Sequence, residues 1–349
     1  AVMRALRNDY DPYRQVQSRL AALEETGHPT DKIELIIKGG TWSFYPDEYQ
    51  RSFIQRCVEA ANEFGEGSRV KGEQNKGVNP SPLTLHPSPL VDAQRMNETA
   101  SHRIIGLTIE TRPDYVNEEE IRELRELGVT RVELGVQTLN DQILELIVRD
   151  HTTTEIRQAT KLLRDAAFKV AYHLMPNLPG ATPDDDLQTF RMLFEDPAYR
   201  PDTMKIYPCV VVKTAQLYRW WQDGRYQPYD DETLVELLIA MKQLVPPYVR
   251  IERVIRDIPS TSIEAGCQFT NLREEVQRRM RARGLRCCCI RCRQVRERAD
   301  GTYAVVRRDY EASEGREIFL SCEDQTANQL AAFLRLRIPS FVLRHPPNW

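Results

Sequence analysis

The sequence predicts an α/β fold: a parallel sheet covered by helices, followed by the start of a second, antiparallel domain. Three observations carry this expectation. Strand-like and helix-like segments alternate through the first two-thirds of the chain, the pattern of parallel strands joined by crossover helices. Beyond Ile255 the alternation stops, and from Thr302 the segments read as consecutive strands. The 349 residues, 41% hydrophobic and 28% charged, suffice for about two domains with packed cores.

The elements follow in order. The apolar run 33–38 is a strand stopped by Gly39-Gly40, and 49–61 has helical spacing in Phe53, Ile54, Cys57, Val58 and Ala61. Strand 104–109, helix 118–127, strand 131–136 and helix 153–167 come next, the last with Thr153 or Thr154 as N-cap. Strand 169–175, helix 184–195, strand 203–207, helix 233–244 (ended by Pro246-Pro247) and strand 249–254 complete the series. The stretch 65–94 is rich in Gly, Pro, Asn and Ser and shows no period, so it reads as an inserted or mobile loop. Residues 271–283 read as a helix ending at Gly284, and 302–310, 317–321 and 329–337 as strands, the first two around a turn at 312–315.

Right-handed crossovers leave two outcomes, an open doubly wound sheet or a barrel, and in both ligands gather at the C-terminal strand ends. Those ends are Gly39-Gly40-Thr41, Glu110-Thr111-Arg112, Gln137-Thr138, Met175-Pro176-Asn177 and Tyr207-Pro208. Each carries Gly, Pro or a polar group where its strand stops.

The charge balance, 48 Lys+Arg against 51 Asp+Glu, gives −3, so a nucleic-acid site must be a local basic patch. Ten arginines against three acids fall between Arg273 and Arg298. No apolar run is long enough to cross a membrane, and the charged start has no signal-peptide core; the expectation is a cytoplasmic protein. Five of the eight cysteines lie between 267 and 292, a clump that reads as a metal site rather than a disulfide framework. Cys287, Cys289 and Cys292 form CxCxxC, which favours a soft tetrahedral ion such as zinc. Cys267, Cys288 or water could complete the set, and an iron–sulfur ligand set or free thiols are the alternatives.

The runs KIELIIKGGT (32–41), GLTIETRPD (106–114), ELGVQT (133–138), HLMPNLPG (173–180), RDIP (256–259) and NLR (271–273) closely resemble, in order and spacing, the family of the Elongator catalytic subunit. The resemblance implies a partial TIM-like (β/α) barrel of the radical S-adenosylmethionine (SAM) type over 1–255. A basic, Cys-rich linker over 256–296 and the beginning of a GNAT-like acetyltransferase domain over 297–349 would follow. It implies modification of carbon 5 of the wobble uridine in tRNA, using acetyl-CoA and SAM with a 4Fe–4S cluster whose family ligands precede the segment present here. The alternative is a tRNA-binding, acyl-CoA-hydrolysing scaffold without radical chemistry.

The resemblance further implies a SAM site at Gly39, Gly40, Thr41, Glu110, Arg112, Gln137, His173 and Asn177, and an acetyl-CoA contact at Lys32. The tRNA anticodon stem-loop would meet Lys205, Arg250, Arg253, Arg256, Arg273, Arg286, Arg291, Arg293 and Arg296 through its phosphates. Zinc would be held by Cys287, Cys289 and Cys292 with Cys267. No catalytic side chain is nominated, and a homodimer or accessory Elongator-type subunits are open as partners.

Overall fold

Asp11 and Pro12 start the first long helix, where the Asp11 carboxylate accepts from the Arg14 amide at 3.0 Å and proline occupies a position that needs no donor. The computed structural model describes residues 2–65, 90–256, 258–295 and 301–340. These form two units. One runs to Thr111 and includes Glu119–Arg131; the other holds Arg112–Glu118 and the chain from Val132 onward.

The first unit contains α1 (Val2–Arg7), α2 (Pro12–Glu25), β1 (Lys32–Ile36), α3 (Asp47–Glu63), α4 (Leu90–Asn97), β2 (Arg103–Thr111) and most of α5 (Glu118–Glu126). Val16 and Leu20 of α2 pack on Cys57 and Ala60 of α3, the face that the helical spacing of 49–61 predicts. β1 and β2 pair in parallel, with Ile36 opposite Thr108. Most of the expected 65–94 loop, residues 66–89, lies outside the described residues. Its last part is a correction: Leu90–Gln94 belong to α4, which buries Leu90 and Ala93.

The second unit takes up β3 (Arg131–Gln137), α6 (Asp141–Leu146), α7 (Thr153–Asp165), β4 (Lys169–Leu174), α8 (Pro183–Glu195), β5 (Thr203–Ile206), α9 (Leu217–Gln222), α10 (Asp231–Leu244) and β6 (Arg250–Arg253). β3 to β6 lie side by side in chain order, and the printed β4–β5 and β5–β6 pairings are parallel, as in the wall of a barrel. The N-cap of α7 is Thr152, not Thr153 or Thr154: Thr152 and Glu155 form a reciprocal capping box, while Thr153 is drawn to Asp141.

α11 (Leu272–Ala282) and α12 (Ile290–Arg293) lead to β7 (Ala304–Ala312), β8 (Gly315–Asp324) and β9 (Gln329–Ile338), an antiparallel sheet in that order. Ala312 pairs with Gly315 across the turn residues Ser313 and Glu314, whose φ angles of 47° and 61° match the twist of a tight hairpin. Gly315 admits the Arg337 guanidinium, which a Cβ there would meet at 2.5 Å. That guanidinium donates to Ala312 O at 2.8 Å and Ser313 O at 3.1 Å.

Candidate functional site

Parallel pairing carries the strand ends of the second unit onward together. Met175 N donates to Gln137 O at 2.8 Å, Tyr207 N to Leu174 O at 2.7 Å and Cys209 N to Pro176 O at 2.9 Å. Gln137 and Asn177 both have left-handed backbone, at φ 67° and 68°, a conformation that side-chain-bearing residues hold only where surrounding contacts impose it.

Those contacts are plain at Asn177, 1% exposed. Its amide N donates to Asp186 Oδ2 at 2.7 Å, and its carbonyl accepts from the Tyr226 hydroxyl at 2.7 Å. Its Oδ1 accepts from Tyr229 N at 3.0 Å and its Nδ2 donates to Cys209 O at 3.2 Å. The expected pocket polar group is instead a pin that ties the loop after β4 to residues 209–229. Asp186 also accepts from the Tyr229 hydroxyl at 3.0 Å; burial raises its carboxyl to about 6 against those hydrogen bonds. Beside it a small hollow of about 10 Å³, room for about one water, is lined by Gln137, Leu174, Phe190, Ile206 and Met241. Phe190 of α8 and Met241 of α10 close it on the helix side of the strands, and it is far too small for a small-molecule ligand.

Arg112, expected to grip a ligand carboxylate, is held by Asp114 and by Asp150 at 2.8 Å and lies over the Tyr115 ring. In the first unit Gly39 and Gly40 have φ of 158° and 105° with open space at both Cβ positions, so backbone there is exposed to close approach. Thr41 follows as the residue before buried Trp42. Glu110 is half-buried near the end of β2. Lys32 is the exposed first residue of β1, at the strand end opposite the glycines.

His173, Lys205 and a residue that sequence reasoning passed over, Glu133, meet on adjacent strands. His173 Nε2 lies 2.8 Å from Glu133 Oε2, and the Lys205 ammonium donates to the same oxygen. None of the three is more than 6% exposed. Burial alone would raise the Glu133 carboxyl, but the His173 hydrogen bond and the Lys205 charge hold it down at about 2. The signal was available: each is a lone charged or titratable residue within an apolar strand run (VELGV, AYHLM, TMKIY).

Lys205 therefore stands against a carboxylate rather than at the surface expected for a phosphate contact. Arg293 and Arg273 are likewise turned inward. Arg293 is buried on Glu323 at 3.0 Å and on the carbonyls of Cys288 and Pro247, and Arg273 donates to Ile251 O at 3.1 Å. Arg291 is half-buried and donates to Glu252 O at 2.8 Å. Arg250 bonds Gln294, Arg253 is half-buried at the end of β6, and Arg256 and Arg286 are exposed. Arg296 lies outside the described residues. Other arginines of the run pair with acids: Arg278 with Glu275, Arg279 with Glu232, Arg283 with Glu236.

The Cys287, Cys289 and Cys292 sulfurs lie within 4.8 Å of one another. The Lys242 ammonium, fully buried, and the Gln277 amide each reach the Cys292 sulfur at 3.5 Å. Two donors on one sulfur suit a thiolate, and the set fits a soft tetrahedral ion. Cys267 is outside this group: its thiol lies near Asp231 and burial pushes it up to about 11. The triad flanks the start of β6, where Ile290 N donates to Val249 O at 2.9 Å, not the C-terminal strand ends. Among the described residues no helix is long and apolar enough to cross a membrane.

Comparison with known proteins bears out the fold class. The Radical SAM superfamily model matches residues 83–193 and the Radical_SAM C-terminal domain model residues 201–282. The chain is 45% identical over 97% of its length to tRNA uridine(34) acetyltransferases of Methanocaldococcus infernus, 61% of which it covers, and of Dehalococcoides mccartyi, 70% of which it covers. It is 36% identical over 96% of its length to human Elongator complex protein 3, covering 58% of that protein. A solved structure of the archaeal Methanocaldococcus infernus Elp3 with an N-terminal deletion superposes with a TM-score of 0.86 at 44% identity, covering 96% of this chain and 76% of that one. The chain thus spans about 60% of the length of several curated relatives.

Proposed function

The chain belongs to the family of tRNA uridine(34) acetyltransferases and Elongator complex protein 3, and from that premise we propose that it serves modification of the tRNA wobble uridine with a carboxymethyl-type group at carbon 5. The observation that carries the reading is identity of 45% spread over 97% of the chain rather than confined to one motif. Acetyl-CoA is the proposed acyl source, with Lys32 as a contact and β7–β9 as the start of a GNAT-like domain.

SAM bound to a reduced iron–sulfur cluster supplies a carbon radical in this family's proposed chemistry. The cysteine triad among the described residues does not fit that cluster, because it flanks the start of β6 while the proposed SAM loops are at the other strand ends. Within the second unit, Gln137 and His173 on their strands are the proposed contacts to the nucleoside; within the first, the proposed contact is the Gly39-Gly40-Thr41 backbone. Zinc is the proposed occupant of the triad.

The test compares tRNA from cells with and without the gene. Loss of the carboxymethyl-type wobble nucleoside, read by mass spectrometry, is expected; an unchanged nucleoside profile overturns the reading. For the RNA surface, reversing Arg250, Arg256 and Arg286 to Glu should weaken tRNA binding at least about tenfold at low salt and flatten its salt dependence. Unchanged affinity would remove these residues from the interface.

The second reading, a tRNA-binding protein that hydrolyses acyl-CoA without radical chemistry, stays open because the cysteine triad at the start of β6 is not a ligand set for the cluster. Anaerobic reconstitution separates the two: iron-dependent visible absorbance supports the first, and a colourless protein that binds tRNA and hydrolyses acetyl-CoA supports the second.

A further inference from the structure

We propose that the exposed rings of Phe44, Tyr45 and Tyr49, with the carboxylates of Asp47 and Glu48, form a docking surface for an arginine-bearing, extended segment of a partner protein. The surface lies wholly within the first unit, and the proposal goes beyond the wobble-uridine reading.

The sequence from Thr41 to Gln50, TWSFYPDEYQ, holds four aromatic residues, two acids and no Lys, Arg or His. Pro46 is the N-cap of α3, so Phe44 and Tyr45 stand in the approach to the helix and Tyr49 in its first turn. Tyr49 and Phe53, four residues apart, share a helix face. Phe44 meets Tyr45 edge-on at 6.4 Å, Tyr45 lies 5.1 Å from Tyr49, and Tyr49 lies 5.9 Å from Phe53. Buried Trp42 meets Tyr45 and Phe53 edge-on at 6.2 and 5.6 Å. The run of rings is anchored on Trp42 and Phe53 but open elsewhere: Phe44 is 72%, Tyr45 39% and Tyr49 47% exposed. Rings that served only to close a core would be covered, and contiguous exposed apolar surface marks an interaction site.

The charges select the partner. Asp47 and Glu48 are exposed, and the helix dipole accounts for their place at the start of α3, yet neither has an ion pair among the described residues. The next cation along the chain, Arg51, is held by Glu123 and Glu126 at 2.5 Å each. A nucleic-acid phosphate would meet carboxylates here rather than cations. A guanidinium suits both halves of the surface, because its plane stacks on aromatic faces and its N–H fork matches a carboxylate. The same unit already holds one arginine this way: the Arg56 guanidinium lies over the Tyr13 ring at 4.5 Å and pairs with Glu59 at 2.8 Å.

The test is fluorescence anisotropy on the full chain with a labelled peptide, (Arg-Pro)6, whose prolines keep it extended. Binding should weaken with salt and be about fivefold tighter than that of (Lys-Pro)6. F44A/Y45A/Y49A should bind (Arg-Pro)6 about tenfold more weakly, and D47N/E48Q several-fold more weakly. E25Q/E98Q, which removes the same charge from other exposed sites of the unit, should leave the affinity unchanged. No binding of (Arg-Pro)6 below about 1 mM, unchanged affinity in a folded F44A/Y45A/Y49A, or an equal loss in E25Q/E98Q overturns the proposal. So does equal binding of the two peptides by the wild type, a comparison that decides even where a ring variant fails to fold. An oligouridine probe that binds the wild type and is lost in F44A/Y45A/Y49A assigns the rings to RNA and likewise overturns it.

Discussion

Replacing Asn177 with alanine removes two hydrogen bonds at once and strands Tyr229 N and Cys209 O beneath the surface. It also forces alanine into the left-handed backbone at φ 68°, which asparagine tolerates better. The expected loss is about 3 kcal/mol in urea unfolding, with N177G recovering about 1 kcal/mol of it through backbone freedom alone. Equal losses for the two variants would show that the backbone carries no strain. Its neighbour Asp186 sets a pH dependence. The folded-state value of about 6 lies above the ordinary 3.8, so the folded protein binds the proton more tightly than the unfolded chain. This contribution is fully present below pH 4 and is lost as pH rises through 6, amounting to about 3 kcal/mol at most. D186N, whose amide oxygen can accept both hydrogen bonds, should flatten that part of the stability profile; an unchanged slope between pH 4 and 7 would exclude Asp186 as its source.

At the scale of elements, β6 ends the parallel sheet on its β5 pairing, and an open edge is normally protected. Here the linker protects it: Ile290 N bonds Val249 O, Arg273 bonds Ile251 O and Arg291 bonds Glu252 O. The three cysteines cluster around the start of α12, with Lys242 and Gln277 on Cys292, and a zinc ion on them would fasten α12 in that position. Purified protein should carry about one zinc per chain, and stripping it should lower the melting temperature by several degrees and speed amide exchange in β6 before β4. Iron in place of zinc would overturn the assignment. The elements readable in the sequence were those with a full apolar period, such as α3, α7 and β3. α2 was missed although Asp11-Pro12 announced it, and α6, α9 and α12 are too short for periodicity to register. The linker's cover of β6 could not be read at all, because Arg273 and Arg291 act through carbonyls on a distant strand.

At the scale of the molecule, the same limit governed the site. Strand-end loops were legible because Gly, Pro and polar residues stop strands, but which polar groups face a ligand depends on partners far along the chain. Asn177 is engaged by residues 186–229, Arg112 by Asp150, and Arg279 and Arg283 by acids on α10. The mounting of β7–β9 was equally invisible. Arg164 of α7 lies between Glu317 at 2.8 Å and Asp202 at 3.3 Å, and Arg337 of β9 bonds Asp165 at 2.6 Å and Glu317 at 2.9 Å. Arg335 reaches Asp202, and Tyr248 stacks on Tyr310 at 3.8 Å. Three arginines thus oppose three acids, most of them buried, so no single charge can leave without exposing its partners to an apolar surrounding. R164M should cost about 3–5 kcal/mol, and the triple change R164M/E317L/R337M should recover part of that loss. Because the network joins α7 and the residues around β5 to the antiparallel sheet, β4 and β8 should open together. Their slowest amide protons should exchange with equal free energy in the wild type. In R164M the β8 protons should become faster than those of β4. If β8 already exchanges much faster than β4 in the wild type, the sheet is a separately folding domain and the charge network does not hold it.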